Sequence, residues 1–154
     1  IVQSTATNGE IDVAVVWSGT WDISDRKVPA LRGGWTGIED PAYRQWLKGE
    51  MLAYTDQVVT VTGAHRVLWL TVPVDPASHH PERFAMWTEL LQEVQRLRPG
   101  IVSVVDMASY VVSSGEAQRL LPDGVHPTFG AHPAEGNTGA ELMQRLIMPV
   151  VLSA

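Results

Sequence analysis

The chain has 154 residues, of which 45% are hydrophobic and 18% charged. That is about one domain's length, with enough apolar area to offset ordering entropy, so wholesale disorder is excluded. The net charge of −6 leaves no electrostatic footprint for nucleic acid or an anionic membrane, and zero cysteines exclude a disulfide scaffold, a thiolate zinc site and a cysteine nucleophile.

Ile11–Trp17 reads IDVAVVW, a nearly continuous β-branched run. Such a run predicts a strand buried on both faces, the habit of parallel sheets. Asp40-Pro41 opens a helix, with Asp40 capping free N–H groups and Pro41 suited to the first helical position. Tyr43, Trp46, Leu47, Met51 and Tyr54 then recur at helical spacing as one apolar face, and Gly63 falls in the connection that follows. His65–Val72, HRVLWLTV, is the second buried strand, stopped by Pro73. Pro81 begins a helix with Phe84, Trp87, Leu91, Val94 and Leu97 facing inward, ended by Pro99-Gly100. Ile101–Val105 is a third strand running into Asp106. A loop follows, with a short helix around Gly115–Leu121, then the Pro-, Gly- and His-rich stretch Pro122–Gly136. The last amphipathic helix spans about Thr138–Met148. No run reaches the roughly 18 apolar residues of a membrane helix, and no charged-then-apolar leader is read at Ile1.

Strand–helix alternation of this kind predicts a single α/β domain over residues 1–154, with right-handed crossovers onto a mainly parallel sheet covered on both faces. Ligands in such sheets sit at the carboxyl ends of the strands. Here those ends are Ser18–Asp25, Pro73–Pro81 and Asp106–Tyr110, with the 123–132 loop able to fold over the same edge.

Two of these places carry chemistry. Asp123-Gly124-Val125-His126 spaces a carboxylate and an imidazole so that a turn at Gly124 can bring Asp123 back onto the ring. A carboxylate there fixes the tautomer and stabilises the imidazolium formed when the other nitrogen takes a proton. The structural alternative is a loop in which Asp123 caps backbone groups and His126 faces solvent. Ser18-Gly19-Thr20-Trp21-Asp22 follows the first strand, where a glycine frees N–H groups to face a developing oxyanion. The alternative there is a plain turn with Trp21 packed. His65, His79, His80, His126 and His132 lack a metal-binding spacing, so no metal or cofactor is expected. His79 and His80 sit in a loop at the rim of the predicted cleft, which reads as solvated. Among the tryptophans, Trp46, Trp69 and Trp87 fall on apolar faces. Trp17, Trp21 and Trp35 gather around the glycine turn, where they can pack or wall an acyl group.

In this order the landmarks IDVAVVW-SGTWD, VLWLTVP, ERF, IVSVVDMAS and LPDGVHPT resemble the SGNH (GDSL-type) hydrolases. The likeness is greatest to the bacterial domains attached to membrane O-acyltransferases of the acyltransferase-3 type, and runs over essentially the whole chain. The resemblance implies a flavodoxin-like three-layer α/β/α sandwich lacking its first strand, on the extracytoplasmic face of a bacterial membrane. It implies His126 as general base, Asp123 as its orienting partner, and an oxyanion and substrate pocket at Gly19, Thr20, Trp21 and Asp22. Substrates would be O-acyl, chiefly O-acetyl, esters of small molecules or cell-envelope glycans, with an upstream transmembrane acyltransferase domain as partner. Trp21 stands where the family places an oxyanion-hole asparagine. The family's Gly-Asp-Ser nucleophile motif is absent, so the chain reads as the C-terminal part of a longer domain. Ser18 is the alternative nucleophile; Ser4, Ser78, Ser103, Ser109, Ser113, Ser114 and Ser153 have no supporting constellation. A non-catalytic carbohydrate- or lipid-binding module is the alternative function. A phosphate-binding flavodoxin-like domain ranks last, since no phosphate-cradling glycine loop occurs.

Overall fold

Three short parallel strands form the centre of the molecule in the order β1 (Val13–Val16), β2 (Arg66–Leu70), β3 (Val102–Val105). The computed structural model describes residues 11–31, 33–75, 77–128 and 136–153. Val13 pairs with Arg66 and Val16 with Trp69 across the first ladder; Val67 pairs with Val102 and Leu70 with Val105 across the second. The strands are shorter than the apolar runs predict. Trp17 and Val72 continue the hydrophobic pattern beyond the strand ends.

The period-2 geometry of β2 sends alternate side chains into two cores. Val67 and Trp69 join Val16, Val72 and Val102 against α1 (Pro41–Thr62) and α2 (Glu82–Leu97). Leu68 and Leu70 join Val105 against α3 (Met107–Ser113), α4 (Ala117–Leu120) and the C-terminal helical segment. That segment runs as α5 (Thr138–Leu142), a π-helical turn (Met143–Ile147) and α6 (Met148–Leu152). Pro149 explains the widened turn. It has no N–H, and its ring would clash with the carbonyl four residues back in a regular helix. Among the described residues no helix is long and apolar enough to cross a membrane.

The cap of α1 follows the sequence: Asp40 accepts from the amides of Ala42 and Tyr43, and Gly63 closes the other end at φ +73°. Four readings need correction. Met107–Ser113 is helical, not loop, because Asp106 caps it by accepting from the Ser109 amide. Tyr54 is half-exposed at 40%, although it lies on the apolar face of α1. Leu97, in the last turn of α2, is also exposed. Trp35 is 70% exposed, with Lys27 5.6 Å from its ring centroid, and lines none of the grooves around the glycine turn.

Candidate active site

The turn after β1 is held from inside. Each carbonyl from Gly19 to Ile23 accepts a hydrogen bond. Gly19 O takes the amides of Asp22 (2.9 Å) and Ile23 (3.1 Å), and Thr20 O the Ser24 hydroxyl. Trp21 O takes the Arg26 guanidinium, Asp22 O the Tyr43 hydroxyl at 2.8 Å, and Ile23 O the Arg83 guanidinium at 3.1 Å. The N–H groups of Gly19, Thr20 and Trp21 have no partner among the described residues. A turn with its carbonyls tied down and its amides open is preorganised to receive negative charge.

Gly19 sets this geometry. Its φ is +139°, which L side chains rarely adopt, and a Cβ there would lie 2.6 Å from the Trp87 indole and 2.9 Å from Val72. The backbone therefore rests directly on the buried face of α2. Trp87 is 1% exposed, and its Nε1–H is the buried side-chain polar atom without a partner among the described residues.

Asp123 and His126 come together as their spacing predicts. Asp123 Oδ1 accepts from the amides of Val125 (2.9 Å) and His126 (2.6 Å), and its Oδ2 lies 2.8 Å from His126 Nδ1. Gly124, at φ +84°, makes the turn. The His126 amide, the His126 ring and the Val125 amide, in that order, hold the Asp123 carboxyl far below the ordinary carboxylate range. The loop is anchored beyond the dyad. The Thr128 amide donates to Thr138 Oγ1 at 2.8 Å, and that hydroxyl donates to Leu120 O at 2.9 Å. Both side chains of the dyad remain largely exposed.

The two loops face one another. A groove of about 400 Å³ is lined by Ser18, Gly19, Thr20, Trp21 and Asp22 from one side and Val125, His126 and Pro127 from the other, with Trp17 completing it. Every candidate site residue except Asp123 borders this groove, and Asp123 reaches it through the His126 ring. The Ser18 hydroxyl donates to Asp22 Oδ2 at 3.1 Å rather than to an imidazole.

A second groove of about 420 Å³ lies across Trp21 and His126, lined by Asp25, Asp75, Ser78, His79, His80 and Arg83 among others. His79 and His80 line its rim and are exposed, in keeping with a solvated loop at the edge of a cleft. Arg83 is the residue that sequence reasoning missed. It is buried, pairs with Asp25 at 2.8 Å and with Glu39, and ties α2 to the Ile23 carbonyl. Burial opposes its charge, but the hydrogen bonds it donates to Glu39 and Asp25 outweigh that and raise its pKa. The available signal was an arginine four residues before Trp87 on an otherwise apolar helix face.

Glu39, His80 and Glu82 lie close enough to share a cation, but all three are exposed and Glu39 is already bound to Arg83. His132 and Ser4 lie outside the described residues. The chain matches no family model, no curated protein and no solved structure.

Proposed function

We propose that the chain supplies the base and oxyanion side of an SGNH-type serine esterase or O-acyltransferase acting on O-acyl, chiefly O-acetyl, esters of cell-envelope glycans. In this reading the three strands are part of a flavodoxin-like three-layer α/β/α sandwich. The observation that carries it is the 2.8 Å pairing of His126 Nδ1 with Asp123 Oδ2 in a loop that faces the open amides of Gly19–Trp21.

With Nδ1–H donated to the carboxylate, Nε2 is the basic nitrogen. A serine Oγ attacks the acyl carbon while its proton passes to His126 Nε2. The carbonyl electrons collect on an oxygen facing the Gly19 and Thr20 amides. The alcohol then leaves with the proton from Nε2, and water or an acceptor hydroxyl repeats the sequence on the acyl-enzyme. Asp123 keeps the ring oriented and stabilises the imidazolium. Trp21 offers no side-chain amide, so in this scheme the oxyanion relies on backbone donors alone.

The serine belongs at the carboxyl end of a further parallel strand on the open edge of β1. Among the described residues that edge has no strand partner, and a groove of about 510 Å³ runs beside it past Val15, Trp17, Ser18, Tyr54 and Trp69. Uncovered strand edges and apolar grooves favour such an addition. A second reading, a non-catalytic carbohydrate- or lipid-binding module, is favoured by the engagement of Ser18 with Asp22.

Hydrolysis of a chromogenic acetate ester separates the two. The 154-residue chain alone is expected to be inactive, and a longer chain that adds a Gly-Asp-Ser strand to be active until His126→Ala is introduced. Losing the nucleophile alone removes nearly all triad-dependent rate. Turnover by the short chain that Ser18→Ala abolishes would make Ser18 the nucleophile. An inactive long chain supports the binding module, and activity indifferent to His126→Ala discards the mechanism.

A further inference from the structure

Asp123 and His126 are both largely open to solvent, so packing does not fix their side chains. What holds their loop is a buried hydroxyl. Thr138, the first residue of α5, is 6% exposed and reaches both stems of the loop. Its hydroxyl donates to Leu120 O at 2.9 Å, ahead of Asp123. The same oxygen accepts the Thr128 amide at 2.8 Å, beyond His126. A hydroxyl can donate once and accept twice, and this one spends its donor on one stem and an acceptor site on the other.

Further bonds make the clasp specific to Thr128. The Gly139 amide donates to Thr128 O at 3.0 Å, and the Thr138 amide to Thr128 Oγ1 at 3.3 Å. Thr128 is thus bound to the first turn of α5 through its amide, its carbonyl and its hydroxyl. Pro127, between it and His126, is buried, and its ring fixes φ, so the step from the clasp to the imidazole is stiff. Helix α5 itself packs through Leu142 on the core around Leu68 and Leu70. The base is therefore referred to the sheet rather than to its own exposed loop.

We propose that Thr138 is a positioning residue for His126: its hydroxyl sets the separation of the two stems and so keeps Asp123 on Nδ1. This deepens the reading of His126 as the base and rests on it, because Nε2 is free to take a proton only while Nδ1–H is given to Asp123. Without the hydroxyl, the carbonyl of the buried Leu120 and the Thr128 amide both lose this partner. Unpaired polar groups are costly away from water, so the stems part to hydrate them. A displacement of about 1 Å carries the 2.8 Å contact between Asp123 Oδ2 and His126 Nδ1 out of hydrogen-bonding range.

Long-range proton–nitrogen NMR spectra of the 154-residue chain test this, since they read which ring nitrogen carries the proton. They are recorded above the ordinary imidazole value of about 6.5, where the ring is neutral. The parent should show His126 protonated at Nδ1. Thr138→Val keeps the shape but removes the hydroxyl, and should replace that form by exchange between the two tautomers. Thr138→Ser should restore it. A residue that merely stabilised the fold would lower the unfolding midpoint and leave the tautomer where it was. Hydrogen exchange in the parent adds a measure that needs no variant. The Thr128 amide should exchange at least about tenfold more slowly than the Val125 amide, whose acceptor is the exposed Asp123 carboxylate. A folded Thr138→Val chain that keeps Nδ1–H, a serine that fails to restore it, or an unprotected Thr128 amide would overturn the proposal. Ester turnover is a separate readout: a longer chain that shows the tautomer shift but no activity in its parent form defeats the catalytic reading and leaves the clasp standing.

Discussion

Gly19→Ala puts the central turn under a severe test. The substitution carries two penalties that can be separated. One is conformational: φ of +139° lies where L side chains rarely go, and forcing a residue into a sparsely populated region costs about 1–3 kcal/mol. The other is steric: the new methyl would sit 2.6 Å from Trp87 Cε2 and Nε1 and 2.9 Å from Val72 Cγ2. Neither neighbour is the free end of a flexible side chain, since both are buried in the core beneath α2. Overpacking of that kind costs about 1–3 kcal/mol more. The sum is roughly 2–6 kcal/mol, a large part of the 5–15 kcal/mol that typically holds a domain together. For a chain of this size about 3 °C is lost per kcal/mol, so the midpoint should fall by roughly 12 °C at the centre of that range.

Thermal unfolding followed by circular dichroism reads the effect, with Gly34→Ala as the control, because nothing lies within 4 Å of a Cβ at Gly34. Combining Gly19→Ala with Trp87→Phe apportions the loss. The smaller ring yields space, so the steric share should shrink while the conformational share persists, as a double-mutant cycle measures. A Gly19→Ala midpoint within about 3 °C of the parent would refute the reasoning. It would mean that the turn moves off Trp87 at little cost, and the preorganised amides would lose their physical basis.

Three further outcomes follow from the same structure. Gly49 lies within α1 and a Cβ added there would meet nothing within 4 Å, so Gly49→Ala should stabilise by about 0.5–1 kcal/mol in a denaturant titration, and destabilisation would contradict the exposed helical setting. Thr55→Val should cost about 1–3 kcal/mol by thermal unfolding, because the buried Thr55 hydroxyl accepts from Trp69 Nε1 at 3.2 Å and an unsatisfied indole N–H would remain; an unchanged midpoint would refute the bond. Asp123 is held low in the folded state, so its stabilising contribution is complete above the ordinary carboxylate value of about 3.9 and is lost only as pH falls through the lower folded value. A carboxyl-carbon NMR titration should therefore find Asp123 still ionised below the pH at which a free aspartate protonates, and a midpoint at the ordinary value would dismiss the dyad.

What the sequence disclosed was set by short-range rules. The β-branched runs around Val13–Val16, Arg66–Leu70 and Val102–Val105 marked three strands, although β1 is only partly buried, and parallel pairing follows from the helices between them. The Asp40-Pro41 start and the Gly63 stop of α1 are local backbone chemistry, as is the Asp123–His126 turn. Helix α3 was hidden because Tyr110-Val111-Val112 has the look of a strand, while the Asp106 cap that decides the matter is one residue at the end of β3. Arg83 was hidden because its partners Glu39 and Asp25 lie far away in sequence, and only tertiary packing brings three charges together at the base of the turn.

Two of the unexpected exposures share a location. Val15 at 37% and Tyr54 at 40% are apolar, fall on faces that periodicity assigns to the core, and line the same groove beside β1. Tyr54 packs edge-on to Trp69 at 6.0 Å, and Trp69 packs in the same manner on Trp87 at 6.4 Å, so an aromatic row leads from that groove to the floor under Gly19. Trp87 contributes the unpartnered indole N–H at the inner end of the row. A neighbour on the open edge of β1 would cover Val15 and Tyr54 together. In the proposed mechanism that same neighbour brings the nucleophile beside Ser18 and Gly19. Under the proposed mechanism, one further parallel strand beside β1 would both cover Val15 and Tyr54 and carry the serine.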